Sequence, residues 1–193
     1  MYDLNIGGVN MIKIAMMVGS LRQGSYNMML ARHMQNRYQD RLEIDIINID
    51  LPLFNDDHNK EENRPSVVRA FHEKIEAADA IIFVSPEYNH ATSGVLKNAI
   101  DWGSRPAKGT KGLNNKVALI TTASTGKTAG ARAYVNLLAI LNTMAIKQLP
   151  GHEIMLSSVH TLFDEYGTLS DQSTVAFIDK VIDAFIEYYN LVK

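Results

Sequence analysis

The chain has 193 residues, 46% of them hydrophobic, and a formal net charge of −2. That length supports one domain with a single sizeable core, and nothing in the near balance of charge suggests a polybasic surface for nucleic acid or membrane. There are no cysteines, which removes disulfides, iron–sulfur clusters, thiolate zinc sites and thiol redox chemistry, so any redox activity has to borrow a cofactor.

Residues 1–11 read as a loose N-terminal extension, without the basic start, long apolar core and small-residue cleavage site of a signal peptide. No apolar run approaches a membrane span. A cytoplasmic location is expected, with no membrane partner and no nucleic acid. Ile12 to Val18 is an apolar run of the kind a buried parallel strand requires. A Gly/Ser-containing turn, Gly19 to Ser25, leads into a helix reaching about Tyr38, with Leu30, Met34 and Tyr38 on one stripe. Leu42 to Ile49 is the second strand, and the polar stretch Leu51 to Arg64 is a loop. Pro65 suits the first turn of a helix, in which Val68, Phe71, Ile75 and Ala78 recur at helical spacing.

Ala80 to Ser85 is the third strand, Pro86 to Thr92 a loop, and Ser93 to Ser104 a helix. Lys116 to Thr122 is the fourth strand, Ala123 to Gly130 a small-residue loop, and Arg132 to Met144 a helix. A fifth strand falls somewhere between Ile146 and Leu156. The last helix runs from about Asp171 to Tyr189, with Ile178, Val181, Ile182, Phe185 and Tyr189 on one face. Strand and helix alternate about five times, which implies an α/β fold: a parallel sheet, helices on both faces, right-handed crossovers. Residues 12–193 read as a single domain.

In such a sheet, ligands bind beyond the carboxyl ends of the strands. The loop Gly19-Ser20-Leu21-Arg22-Gln23-Gly24-Ser25-Tyr26-Asn27 joins a strand to a helix, so its N–H groups and the helix dipole favour an anion. Ser20, Ser25 and Asn27 add neutral donors, and Arg22 a guanidinium that can grip a phosphate with two N–H groups. The spacing is neither a Walker loop nor a dinucleotide fingerprint, so it suits one terminal phosphate. The bland alternative is a plain turn, with Ser25 as N-cap and Arg22 in water. In Ser85-Pro86-Glu87-Tyr88-Asn89-His90, Tyr88 offers a wall for a flat ring, although turns of this composition are common. The small residues of Thr122-Ala123-Ser124-Thr125-Gly126 let backbone approach a ligand, and alone they read as a flexible loop.

Together these stretches resemble the NADPH-dependent FMN reductase family of quinone, azo-dye and chromate reductases. The matching motifs are residues 19–27, residues 85–90 and their continuation Gly-Val-Leu-Lys-Asn-Ala-Ile-Asp-Trp at 94–102. The resemblance implies a three-layer, flavodoxin-like α/β fold with five parallel strands in the order 2-1-3-4-5. It also implies FMN as cofactor, NADPH or NADH as hydride donor, a small acceptor such as a quinone, and homodimers or homotetramers. Carried over by position, Ser20, Leu21, Arg22, Ser25, Tyr26 and Asn27 hold the phosphate end of FMN. Pro86, Glu87, Tyr88 and Asn89 line the ring, and Ser124 and Gly126 approach it. The chain departs from the family at Ser93, where a proline is usual and where serine can cap the helix instead, and at Ala123, often a serine.

With flavin doing the hydride chemistry, donor and acceptor share one surface, which predicts ping-pong kinetics. No side chain is required as a catalytic acid or base, and no metal is implied. His90 reads as an exposed or interface histidine in preference to a proton donor. Asp101 serves its helix, Glu87 a subunit contact or its own loop, and Trp102 is buried or anchors an oligomer contact. The competing function is that of a non-enzymatic flavodoxin-like electron carrier. The near-neutral charge and Arg22 argue against it.

Overall fold

The computed structural model describes residues 11–193, so the expected N-terminal extension lies, Met11 apart, outside the described residues. Strand β1 spans Ile12–Val18, helix α1 Tyr26–Arg37, β2 Leu42–Ile46, α2 Ser66–Ala77, β3 Ala80–Ser85 and α3 Gly94–Gly103. They are followed by β4 Val117–Ala123, α4 Ala131–Asn142, β5 Lys147–Gln148, β6 Ile154–Leu156 and α5 Gln172–Val192. The sheet runs β2-β1-β3-β4-β5, parallel throughout, with β6 also pairing with β4.

Alternation along the strands divides the core in two. Ile14, Met16 and Val18 of β1 face α1 and α5 and meet Leu30, Met34, Ile178 and Phe185. Ala15 and Met17 face the other way, against Phe71 of α2, Leu96 of α3 and Leu137 of α4. Burial on both faces explains why β1, β3 and β4 read as nearly unbroken apolar runs.

The fifth strand is two short pieces, β5 and β6, laid in succession against β4. Between them, Pro150 lacks an N–H for the ladder and Gly151 turns left-handed at φ 73°, so pairing breaks and resumes. Strand β2 stops at Ile46 instead of Ile49, although the Ile47 N–H still reaches Met16 O at 3.0 Å. Pro65 stands one residue before α2, and its carbonyl accepts from Val68 N. Trp102 is 0% exposed, its Nε1 donating to Pro52 O at 2.8 Å and its ring edge-on to Phe54. Buried within its own chain, it presents no surface for an oligomer contact. Asp101 serves its helix through Lys97 Nζ at 2.8 Å.

Helices α1 and α5 are cross-linked at their surface. Asp179 accepts from Arg37 Nε and Nη2 at 2.6 Å each and from Tyr38 OH at 2.8 Å. The hydrogen-bonded Arg37 guanidinium holds the Asp179 carboxyl below its ordinary range, against the opposing effect of partial burial. A depressed folded-state pKa contributes stability above the unfolded value of about 3.9 and loses it as pH falls through the folded value. Asp179→Asn is therefore expected to lower the melting temperature at neutral pH. The gap from the parent should close below about pH 4. Thermal unfolding from pH 2 to 7 checks this, and a gap that persists in acid contradicts it.

Candidate functional site

Three loops at the carboxyl ends of β1, β3 and β4 converge on an open cleft of about 210 Å3. The first is anchored by the Gly19 N–H on Val84 O at 2.8 Å. Past Ser20, whose N–H bonds Val18 O, the backbone N–H groups from Leu21 to Asn27 donate to no protein acceptor among the described residues. Gly24 is left-handed at φ 66°, the sort of alternation that turns successive N–H groups into a concave nest. Ser25 caps α1, its Oγ accepting from Met28 N at 3.4 Å, and the first turn holds no acidic residue. The unshared donors and the helix dipole thus meet no protein anion.

Arg22 is exposed and curls back on its loop, donating to Gln23 O at 3.1 Å and Gly24 O at 2.9 Å. Asn27 is buried; its Nδ2 donates to Ala123 O at 3.1 Å, while its Oδ1 is buried with no partner. The Ala123 carbonyl thereby joins the first loop to the third, which the alanine side chain plays no part in.

The second loop is a tight two-residue turn. Tyr88 and Ala91 exchange N–H···O bonds at 3.0 and 3.1 Å, with Asn89 at φ 50° and His90 at φ 66° between them. Left-handed geometry at both central positions is that of a type I′ turn, which asparagine accommodates well. Its base is held by Ser85 Oγ, 2.7 Å from Pro86 O and 2.9 Å from Thr92 Oγ1. Tyr88 is 50% exposed. Ser93 caps α3 by accepting from Leu96 N at 3.3 Å, as expected of the residue standing for the family's proline.

The third loop is braced by a segment that sequence periodicity left unread. Ser124 N donates to Leu156 O and Val159 N to Ser124 O, each at 3.0 Å, and Ser158 N reaches Gly126 O at 3.3 Å. Val159 opens a short 3-10 turn after β6 and lines the cleft. A single short turn carries no periodic pattern to announce it.

Of the residues assigned from sequence, Ser20, Arg22, Ser25, Tyr26, Asn27, Pro86, Glu87, Tyr88 and Ser124 line the cleft, joined by Ala123, Thr125 and Val159. Leu21 projects outward at 54% exposure, Asn89 sits on the turn's exposed tip, and Gly126 lies outside the lining, its N–H on Ser124 Oγ at 3.1 Å. The Glu87 carboxylate bonds the amino end of α4. His90 is exposed and off the lining. The described residues hold no cluster fit for a metal ion and no helix long and apolar enough to cross a membrane. A nest of free N–H groups at a helix start suits a phosphate and the exposed Tyr88 a flat ring, while the unpartnered Asn27 Oδ1, an acceptor, suits a ligand hydroxyl between them. The donor set therefore fits FMN.

Comparison with known proteins agrees. The profile of the NADPH-dependent FMN reductase family matches residues 12–161. An NAD(P)H-dependent FMN reductase of Pseudomonas aeruginosa is 38% identical, over 90% of this chain and 92% of that protein. A quinone reductase of Escherichia coli is 35% identical, over 94% and 97%. Among solved structures, FerB of Paracoccus denitrificans, a flavoenzyme NAD(P)H:(acceptor) oxidoreductase, superposes with a TM-score of 0.85 at 31% identity, over 94% of this chain and 98% of that one. With both loop motifs set around one cleft and these matches spanning nearly the whole sequence, the chain belongs to the NADPH-dependent FMN reductase family.

Proposed function

We propose that this chain is an NAD(P)H-dependent, FMN-containing oxidoreductase that reduces quinones or similar small acceptors. The observation that carries the reading is the uninterrupted run of free N–H groups from Leu21 to Asn27 at the start of α1, with Arg22 beside it. Ser20, Arg22, Ser25 and Asn27 hold the phosphate with those N–H groups. Pro86 and Tyr88 form one wall for the ring and Ser124 approaches it from the other loop, while Asn89 and Gly126, off the cleft lining, shape the turn and the loop that carry them. FMN held there would supply the hydride-transfer chemistry between NAD(P)H and the acceptor. The protein positions the partners and acts through backbone N–H dipoles, without an acid or base of its own. Donor and acceptor use the same open face in turn, which gives ping-pong kinetics.

Residues 12–193 form one functional domain in this reading, working as a homodimer or homotetramer in the cytoplasm. The relatives' names favour turnover over a carrier role: one is a quinone reductase and another an NADH-dependent flavin reductase subunit of Lactobacillus johnsonii. An absorbance spectrum of the purified protein, reconstituted with FMN if colourless, tests the proposal. A bound flavin band that NADPH alone bleaches without oxygen, followed by steady quinone turnover, is the expected result. A protein that fails to retain FMN, or holds it without turning over quinone, rejects the reading.

A further inference from the structure

We infer that Glu87 is a positioning residue: its carboxylate clamps the turn carrying Tyr88 to the amino end of α4 and so sets the spacing between the two loops that flank the ring. The inference rests on the flavin reading above and extends it to a side chain that does no chemistry itself.

Helix α4 lacks a cap of its own. The residue before it, Gly130, is left-handed at φ 77° and makes no side-chain bond. The cap arrives from far earlier in the chain. Glu87 Oε2 accepts from Arg132 N at 3.0 Å and Ala133 N at 3.4 Å, and Arg132 Nη1 lies 3.6 Å from Glu87 Oε1. The Glu87 side chain is only 10% exposed. An anion over the first turn of a helix satisfies orphan donors and complements the dipole. A second tie lies along the same helix, where Asn136 Oδ1 accepts from Thr92 N at 3.2 Å.

The turn at 88–91 is thus bound to α4 on both sides of its tip, through 87 and 92. Helix α4 directly continues the loop 124–130, which supplies the opposite wall. One helix therefore fixes both walls, and Glu87 is the charged link between them.

Amide hydrogen exchange on the ligand-free protein tests the clamp directly. In Glu87→Ala, the Tyr88 and Ala91 N–H groups are expected to exchange at least about tenfold faster. Glu87→Gln, whose amide oxygen still accepts, should stay within about threefold of the parent. Fluorescence titration should show the Kd for FMN and for riboflavin rising by the same factor in Glu87→Ala, about tenfold or more, because the loss is at the ring wall. Adding Asn136→Ala should cost less than the sum of the single effects, as expected for two ties on one turn. Unchanged exchange in Glu87→Ala, a glutamine variant as impaired as the alanine one, additive effects, or a loss confined to FMN overturns the inference. Faster exchange in a protein whose parent form binds no flavin leaves the clamp standing and rejects the flavin reading instead.

Discussion

Arg22→Glu is expected to raise the Kd for FMN about 100-fold or more while leaving riboflavin binding within about threefold and the melting temperature unchanged. Charge-assisted hydrogen bonds to an anion contribute about 1.5–3 kcal/mol. The variant loses these and sets a carboxylate beside the phosphate, a repulsion of about 1 kcal/mol in water and more where water is partly excluded. A factor of ten corresponds to about 1.4 kcal/mol, so the two effects together reach two decades. Arg22 has to give up its bonds to Gln23 O and Gly24 O to reach a ligand. Those are exposed, neutral-acceptor contacts of about 1 kcal/mol each at most, weaker than the bonds to a dianion that replace them. The fold tolerates the change because Arg22 bonds only its own loop. Fluorescence-quenching titrations at two ionic strengths provide the check: added salt should weaken FMN binding to the parent more than to the variant. Equal losses for FMN and riboflavin would remove Arg22 from the phosphate site.

Arg22 also marks the limit of what sequence reading reached. Residue type and spacing placed it in a loop between β1 and α1, beside a ready-made anion site, because strand and helix periods are visible in sequence. The direction of its side chain is not, since the neighbouring carbonyl groups of Gln23 and Gly24 compete with a ligand for the same donors. The same division runs through the molecule. Runs such as Ala80–Ser85 announce themselves because both faces are buried, whereas β5 and β6 are two and three residues long, below the length at which any period registers. Val159 lines the cleft through one irregular turn. Trp102 was readable as buried, but its partners Pro52 and Phe54 belong to a polar, turn-rich loop some 50 residues earlier. Glu87 reads from sequence as a residue lining the ring, making a subunit contact or serving its own loop. It does line the cleft, but its carboxylate accepts from backbone N–H groups of a helix start, and backbone donors leave no trace in residue identity.

Gly19→Val is expected to lower the melting temperature by about 5–15 °C and to abolish measurable FMN binding. Gly19 packs where β1 delivers the chain into the phosphate loop. A Cβ there would stand 2.8 Å from Ser93 Oγ and 3.1 Å from both Leu96 Cβ and Pro86 Cδ. None of these atoms is the free end of a flexible chain. Ser93 Oγ is committed to the cap of α3, Leu96 is fully buried, and Pro86 is a ring fixed at the exit of β3. Overpacking of a dense interior costs about 1–3 kcal/mol, and loss of a serine cap about 1 kcal/mol more. For a domain of this size each kcal/mol moves the transition by about 2–4 °C. Function suffers more than stability, because the displaced residues are shared: Ser93 and Pro86 bracket the Tyr88 turn, and the Gly19 N–H to Val84 O bond fixes the first loop against the second. Gly94→Ala is the matched control. It sits at the start of α3 with nothing within 4 Å of a new Cβ, so alanine should be neutral or stabilising by about 0.5–1 kcal/mol through reduced backbone entropy of the unfolded chain. Thermal unfolding by circular dichroism, paired with FMN titration of both variants, separates the two glycines. A Gly19→Val protein as stable and as flavin-competent as Gly94→Ala would mean that the β1 exit has room to spare, and that the first loop is not held in place by contact with β3 and α3.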